Sequence, residues 1–219
     1  MSAAQQRDWK SWHQGYADSD SDLSRRLVHV QRRLTDALFV APPGPIRLIS
    51  LCAGEGRDVL GVLPNHPRRD DVTARLVELD RDIAASARST AEALGLDRVE
   101  VVAGNAGLSS VYAGLAPADV VLACGIFGNV SEGDIRATIR GLPQLCRPGA
   151  TVLWTRHRGA PDLTPQIRSW FGEAEFDEVG FDYEDGRRFS VGTQVFRGVT
   201  PAFDPTVRFF EFEPRADAT

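Results

Sequence analysis

Ile46-Arg47-Leu48-Ile49-Ser50-Leu51-Cys52-Ala53-Gly54-Glu55-Gly56-Arg57-Asp58 is the stretch on which the fold turns. Apolar residues alternate and then run together up to an Ala-Gly-Glu-Gly turn, and helix-compatible residues continue through Leu63. The pattern predicts a buried strand feeding a helix. Gly54 and Gly56 lack a Cβ, so the backbone there can bend sharply and let a nucleotide approach, and the helix start behind them presents unpaired N–H groups. A Gly-x-Gly turn after a strand is also a common simple connection, so its meaning is decided by the strands and loops further along the chain.

Outward from this turn, residues 72–79 read as a second buried strand, closing on Glu78-Leu79-Asp80 about twenty residues beyond Gly56. In a doubly wound sheet that spacing puts a carboxylate at the carboxyl edge of the neighbouring strand, where it can accept ribose hydroxyls. Glu78 is the expected ribose ligand, and Asp80 the expected cap of a helix over residues 83–94. A third strand, residues 99–102, leads to Gly104-Asn105-Ala106-Gly107, where Asn105 and the Ala106 backbone could meet an adenine ring or could simply form a turn. A fourth, residues 120–124, ends in Gly125-Ile126-Phe127-Gly128-Asn129, where small residues leave room for a ligand. Ser131 and Asp134 suit a helix start. Cys146-Arg147-Pro148-Gly149-Ala150 reads as a turn before a fifth strand over residues 151–155, which gives way to Arg156-His157-Arg158. Residues 176–183 and 189–196 flank an Asp185-Gly186 pair and form a hairpin. Residues 207–212 could add an edge strand, and the tail from Pro214 is expected to be disordered.

Ahead of the turn, Leu23, Leu27, Val30, Leu34 and Leu38 mark an amphipathic helix. Its arginines, Arg25, Arg26, Arg32 and Arg33, are expected on a solvated face, and Pro42-Pro43-Gly44-Pro45 stops it. Trp9, Trp12, His13 and Tyr16 precede it. Two tryptophans three apart are costly to leave in water, so this arm should fold back, either onto the domain or as a lid over the site with His13 and Tyr16 reaching a substrate. The organisation expected is a helical arm, residues 1–44, and a nucleotide-binding unit, residues 45–213, forming one domain overall.

The 219 residues, 42% of them hydrophobic, suffice for one sizeable core. With a net charge of -5 and no Lys/Arg-rich block, no electrostatic footprint for nucleic acid is expected. No apolar run reaches the roughly 18 residues that span a bilayer, and the beginning lacks a signal-peptide core. No membrane association and a cytoplasmic location are therefore expected. The three cysteines, Cys52, Cys124 and Cys146, show neither zinc spacing nor a disulfide framework, and no metal is expected. Oligomeric state is not legible.

The residue three beyond Gly56 is Val59, so the dinucleotide fingerprint fails at its last glycine. From about Ile46 to about Arg197 the chain instead resembles class I S-adenosylmethionine-dependent methyltransferases. The resemblance rests on Ala53-Gly54-Glu55-Gly56-Arg57-Asp58, Val77-Glu78-Leu79-Asp80, Gly104-Asn105-Ala106, residues 118–125 and residues 145–150, in that order and spacing. It implies an α/β fold: a doubly wound, mostly parallel seven-stranded sheet with a C-terminal antiparallel hairpin and an N-terminal helical arm. It also implies S-adenosyl-L-methionine as cofactor. Gly54, Glu55, Gly56 and Asp58 would approach its methionine and ribose portions, Glu78 and Leu79 its ribose, Asn105 and Ala106 its adenine, with Cys124 and Gly125 below. Two positions depart from the family: where it usually has an acidic residue at the end of strand one and a glycine two residues later, this chain has Ser50 and Cys52.

The implied activity is in-line methyl transfer to an oxygen, nitrogen or carbon of a small molecule. His157 and His13 are the candidate bases, since imidazole titrates near neutrality, and Trp12, Tyr16, Asn129 and Arg156 would position substrate. The alternatives are another reaction of the same cofactor (cyclisation or aminocarboxypropyl transfer), nucleic-acid methylation, disfavoured by the acidic balance, and a non-catalytic cofactor-binding protein.

Overall fold

The computed structural model describes Tyr16 and residues 18–212. Trp9, Trp12, His13 and the tail from Pro214 lie outside the described residues. Seven strands form one sheet: β1 (Ile46–Leu51), β2 (Val72–Glu78), β3 (Val99–Ala103), β4 (Ala118–Ala123), β5 (Cys146–His157), β6 (Phe176–Asp182) and β7 (Phe189–Phe196). Their order is β3-β2-β1-β4-β5-β7-β6. The first five are parallel, and β7 pairs antiparallel with both β5 and β6. This is the mixed, mostly parallel sheet expected from the sequence.

Helices α1 (Asp22–Val40), α2 (Arg57–Leu60) and α3 (Arg81–Ala93) cover one face. Leu48, Ala74, Leu76, Val120 and Leu122 point toward them and pack with Val30, Leu34, Val59 and Ala87. Helices α4 (Glu132–Gly141) and α5 (Thr164–Glu173) cover the other, where Ile49, Val77, Val121, Val152 and Trp154 meet Ile135, Ile139, Ile167 and Phe171. Alternate residues of each strand thus serve opposite layers, which is why the strands read as continuous apolar runs. Because the chain winds outward from β1 to β3 and then crosses to β4, the order reverses between β1 and β4. That switch opens a crevice at the carboxyl ends of these strands.

Local chemistry sets the boundaries. Asp80 caps α3, accepting from the Asp82 and Ile83 N–H groups at 2.9 and 3.1 Å, and Ser131 Oγ accepts from Asp134 N at 3.0 Å to start α4. Ser21 begins α1 in the same way. The helix expected over residues 58–63 closes early as α2 and continues as a 3-10 turn at Leu63–Asn65, since Pro64 supplies no N–H.

Two expectations are corrected. The stretch 146–150 is part of β5 rather than a turn before it. Cys146 pairs with Ala118 and Thr151 with Val120, and the surplus residues Arg147, Pro148 and Gly149 bulge out between these pairs, with Gly149 at φ +86°. Residues 207–212 form no edge strand. They run as a strap across α4 with isolated bridges Leu108–Arg208 and Val130–Phe212, and bury Phe209 and Phe210 in the core. Phe209 lies where a Cβ on Gly141 would fall, 2.6 Å from its ring.

Gly192 faces Trp154 across the β5–β7 pair, and a Cβ there would overlap the fully buried indole. Gly192→Ala is expected to cost about 1–3 kcal/mol of stability through overpacking. A urea midpoint that falls with unchanged slope would report it.

Candidate functional site

The crevice at the switch point is a cleft open to solvent, lined from both sides of the β1–β4 junction. Its floor is the β1 turn, residues 52–55, with Cys124 and Gly125 from the end of β4. One wall is Glu78, Leu79 and Ile83, and the others come from Asp58 of α2, Arg26 of α1, Tyr16, and Phe212 at the end of the strap.

The turn is fixed by a carboxylate. Glu78 Oε2 accepts from Gly54 N at 2.9 Å, and Oε1 accepts from Asp80 N at 2.9 Å. A carboxylate offers about four acceptor sites, so two stay open toward the cleft. Gly54 and Gly56 take positive φ, +57° and +73°, and so does Cys52 at +51°. Cys52 therefore keeps the left-handed bend without being glycine, at a strain of about 1–2 kcal/mol. Its thiol, and that of Cys124, are held well above the usual range by burial, reinforced by the Glu78 and Asp58 charges respectively, so both stay neutral.

Charge gathers at the far end. Burial raises the Asp58 carboxyl, and the positive charge of Arg26 partly opposes that rise. Arg26 Nη2 donates to the Tyr16 hydroxyl at 3.4 Å, and burial lifts the Tyr16 phenol above its ordinary value. The Arg57 guanidinium lies 4.9 Å from the Tyr16 ring centroid while pairing with Glu55 at 2.7 Å, so Tyr16 is roofed by a cation.

Of the residues expected at the site, Tyr16, Gly54, Glu55, Asp58, Glu78, Leu79, Cys124 and Gly125 line the cleft. Gly56 sits behind it, where a Cβ would press on Leu60 and Leu76 at 2.9 Å. Asn105 and Ala106 do not line it. Asn105 Oδ1 accepts from Gly107 N at 2.9 Å, a turn bond, and buried Ala106 gives its carbonyl to the Tyr112 hydroxyl at 2.8 Å. Asn129 Nδ2 donates to the Gly125 carbonyl at 2.6 Å and so fixes the floor loop from behind. Arg156 and His157 flank that loop at Gly128. Trp12 and His13 lie outside the described residues.

Six lining residues were not among those expected: Cys52 and Ala53 of the β1 turn and Ile83 of α3, which adjoin expected ones, and Arg26, Arg57 and Phe212. Arg26 reads as one more charge on the polar face of an amphipathic helix. Arg57 comes directly after a turn and carries no pattern of its own. Phe212 belongs to an apolar cluster late in the chain, whose aromatic density was the available signal that it returns to the body.

His157 Nδ1 accepts from Gly159 N at 3.2 Å, which assigns the neutral ring's proton to Nε2. Burial lowers the imidazole's pKa, and Arg156 and Arg188 lower it further.

No protein-family model matches the chain, and no curated protein matches it. Solved structures do. Magnesium protoporphyrin IX methyltransferase from Synechocystis PCC 6803, solved with bound SAM, superposes with a TM-score of 0.66 at 12% identity, covering 87% of this chain and 91% of that one. The 1,6-didemethyltoxoflavin-N1-methyltransferase from Burkholderia thailandensis, solved with 1,6-didemethyltoxoflavin and S-adenosylhomocysteine, gives 0.61 at 17%, covering 87% and 85%. An O-methyltransferase family protein from the same species gives 0.61 at 20%, covering 90% and 71%. The fold of this chain is the Rossmann-like methyltransferase fold.

In a proton-NMR titration, His157 is expected to titrate below the ordinary histidine value of about 6.5. Because the fold favours the neutral ring, the stability His157 contributes is present above about pH 6.5 and is lost as pH falls through the lower folded value. Denaturant melts of His157→Gln should therefore show less loss of stability over that acid window than the wild type.

Proposed function

We propose that the chain binds S-adenosyl-L-methionine across the carboxyl edge of its sheet and transfers the methyl group to an oxygen, nitrogen or carbon of a small molecule. The observation that carries this reading is the Glu78 carboxylate, held at the switch point by Gly54 N–H with two acceptor sites toward the cleft. The residues fit the cofactor in three places. Glu78 suits a pair of ribose hydroxyls. Leu79, which is 48% exposed, together with Ile83 and Phe212, offers apolar surface to a purine. At the far end Asp58 and Arg26 provide an anion and a cation for the ammonium and carboxylate of an amino acid, the role that Ser50 cannot fill.

When bound, the cofactor supplies a methyl group on an electron-poor sulfonium. A hydroxyl or amine acceptor would need a base for the proton it loses, the role proposed for His157 or His13. The chain's part is alignment and exclusion of water. Glu78 and the β1 turn fix the adenosyl portion, Tyr16 under Arg57 closes the cleft, and Asn129 and Arg156 hold the loop that bounds the acceptor side. With its proton on Nε2, His157 offers a hydrogen-bond donor there. To serve as the base it has to release Gly159. His13 is the other proposed base. Among the described residues no helix is long and apolar enough to cross a membrane, and the free thiols of Cys52, Cys124 and Cys146 suit a reducing compartment, so a cytoplasmic location belongs to this reading.

Calorimetry with S-adenosylhomocysteine is the direct test. Wild-type protein is expected to bind it, and absence of binding at millimolar ligand would remove the reading. Glu78→Gln, losing charge-assisted bonds worth about 1.5–3 kcal/mol, should weaken it about tenfold to a hundredfold with secondary structure intact by circular dichroism. Asp58→Asn should weaken S-adenosylhomocysteine severalfold while leaving 5′-methylthioadenosine, which lacks the amino-acid end, nearly unchanged. Equal losses for the two ligands would dissociate Asp58 from that end.

A further inference from the structure

The loop that leaves the cleft floor at Gly125 runs beside a group of cations. Arg156 donates through Nη1 to the Phe127 carbonyl, and a Cβ on Gly128 would lie 3.4 Å from the His157 ring. Arg158 N donates to the Arg188 carbonyl at 2.6 Å, which brings the β6–β7 hairpin alongside the end of β5 and sets the Arg188 guanidinium against Gly159. Arg158 in turn lies over the Tyr183 ring, 4.2 Å from its centroid. Arg156, His157, Arg158 and Arg188 thus share one surface at the rim of the acceptor side.

These cations lack what their neighbours have. On the same hairpin Arg187 pairs with Asp20, while Arg25 of α1 pairs with Glu184 and Arg32 and Arg33 with Asp182. Among the described residues no carboxylate lies within 4.0 Å of the guanidinium groups of Arg156, Arg158 or Arg188, although Asp22 Oδ2 accepts the Arg188 backbone N–H at 3.2 Å. The acid that faces them, Asp162, spends Oδ1 on the N–H and hydroxyl of Thr164 at 2.9 and 2.7 Å. Arg156 is partly withdrawn from water, and its Nε is buried without a hydrogen-bond partner. Asp162 sets one negative charge against three guanidinium groups, and like charges held together repel one another. His157, fixed with Nε2–H outward, adds a donor and no acceptor. The side chains of Arg156, Arg158 and Arg188 and His157 Nε2 all donate, and guanidinium forks match the planar oxygens of an oxyacid.

We propose that this cluster binds the anionic group, a carboxylate or a phosphate, of the molecule that enters the acceptor side of the cleft. The substrate class is then a small oxyacid, anchored by Arg158, Arg188 and His157 Nε2–H while Arg156 holds the loop beneath it. Calling that molecule a methyl acceptor rests on the methyl-transfer reading. The anion site itself does not.

The test uses the full chain with ring-labelled histidine, titrated with benzoate, phenyl phosphate, sulfate and neutral benzamide, with and without S-adenosylhomocysteine. Benzoate or phenyl phosphate is expected to move the His157 signals saturably, and the tighter of the two identifies the anion. Benzamide should leave them in place, and Arg188→Gln should weaken the effect at least tenfold without changing affinity for S-adenosylhomocysteine or the melting temperature. Sulfate as tight as both organic anions means an adventitious ion only and overturns the proposal, as do benzamide binding as well as benzoate and indifference to Arg188→Gln. If S-adenosylhomocysteine does not bind but the anions still do, the methyl-transfer reading falls and the anion site stands. If S-adenosylhomocysteine binds and no anion moves His157, the anion site alone fails.

Discussion

The site depends on one carboxylate between two strand ends. Glu78 leaves β2 and reaches across to the β1 turn, taking Gly54 N–H on one oxygen and Asp80 N–H on the other. The first bond holds the turn open toward the cleft, and the second sets Asp80, whose own carboxylate starts α3. Turn, strand end and helix cap are therefore one hydrogen-bonded series, and a shift in any of them moves the others. This series acts against the strain of Cys52, a residue with a Cβ in the left-handed region, where glycine costs nothing. The bend survives without its usual glycine because both sides of it are tied: Ala53 N donates to the Val77 carbonyl at 2.9 Å, and Gly54 N to Glu78.

A second constraint orients the roof. Val30, Leu34 and Leu38 anchor α1 by burial, but an apolar stripe sets the rotation of a helix only loosely. Ion pairs refine it. Arg25 and His29 meet Glu184, and Arg32 and Arg33 meet Asp182, at spacings of one and two turns. Each such pair is worth little by itself. Together they hold one edge of α1 against the hairpin, and the residue after Arg25, turned by about 100°, is then aimed at the cleft. Arg26 reaches the site because its neighbours are held elsewhere.

Legibility in the sequence tracks the range of the forces involved. The strands and their two-sided burial came through because alternation within Leu48-Ile49-Ser50-Leu51 is a local consequence of a local period. Asp80 and Ser131 came through because a cap bonds two or three residues along the chain. The strap did not, since its position is set by Phe209 against Gly141 and by Phe209 N–H to the Gly107 carbonyl at 2.7 Å, contacts that no pattern within 207–212 encodes. The stretch 147–149 reads locally as a turn because Pro148-Gly149 is turn chemistry, and only the pairing of Cys146 and Thr151 with β4 makes it a bulge within a strand. Arg26 looks like a solvated charge because the acids that rotate its helix lie on a hairpin far along the chain, and Asn105 looks like a ligand because a side chain that can reach one can equally close its own turn. Glu78 was legible because strand length and sheet winding fix its place, and no other partner is needed to aim it.

The charges sort themselves across the cleft, and the sorting bears on how the proposed reaction is arranged. Glu78 and Asp58 lie on the side assigned to the cofactor, with Arg26 at its far end, while Arg156, Arg158 and Arg188 lie beyond the Gly125 loop. On the proposed reading a sulfonium would lie among acids and an oxyacid among bases, so each partner would bind by complementing the protein rather than by pairing directly with the other. Direct pairing would favour whatever orientation brings the opposite charges closest. Separate anchoring leaves the approach of acceptor atom to methyl to be set by the rigid backbone between the two sites. That backbone is pinned at each end, by Gly125 N–H on the Thr155 hydroxyl at 2.8 Å and by Asn129 on the Gly125 carbonyl. In-line transfer is sensitive to small displacements of the reacting atoms, and a loop fixed at both ends is what keeps them small.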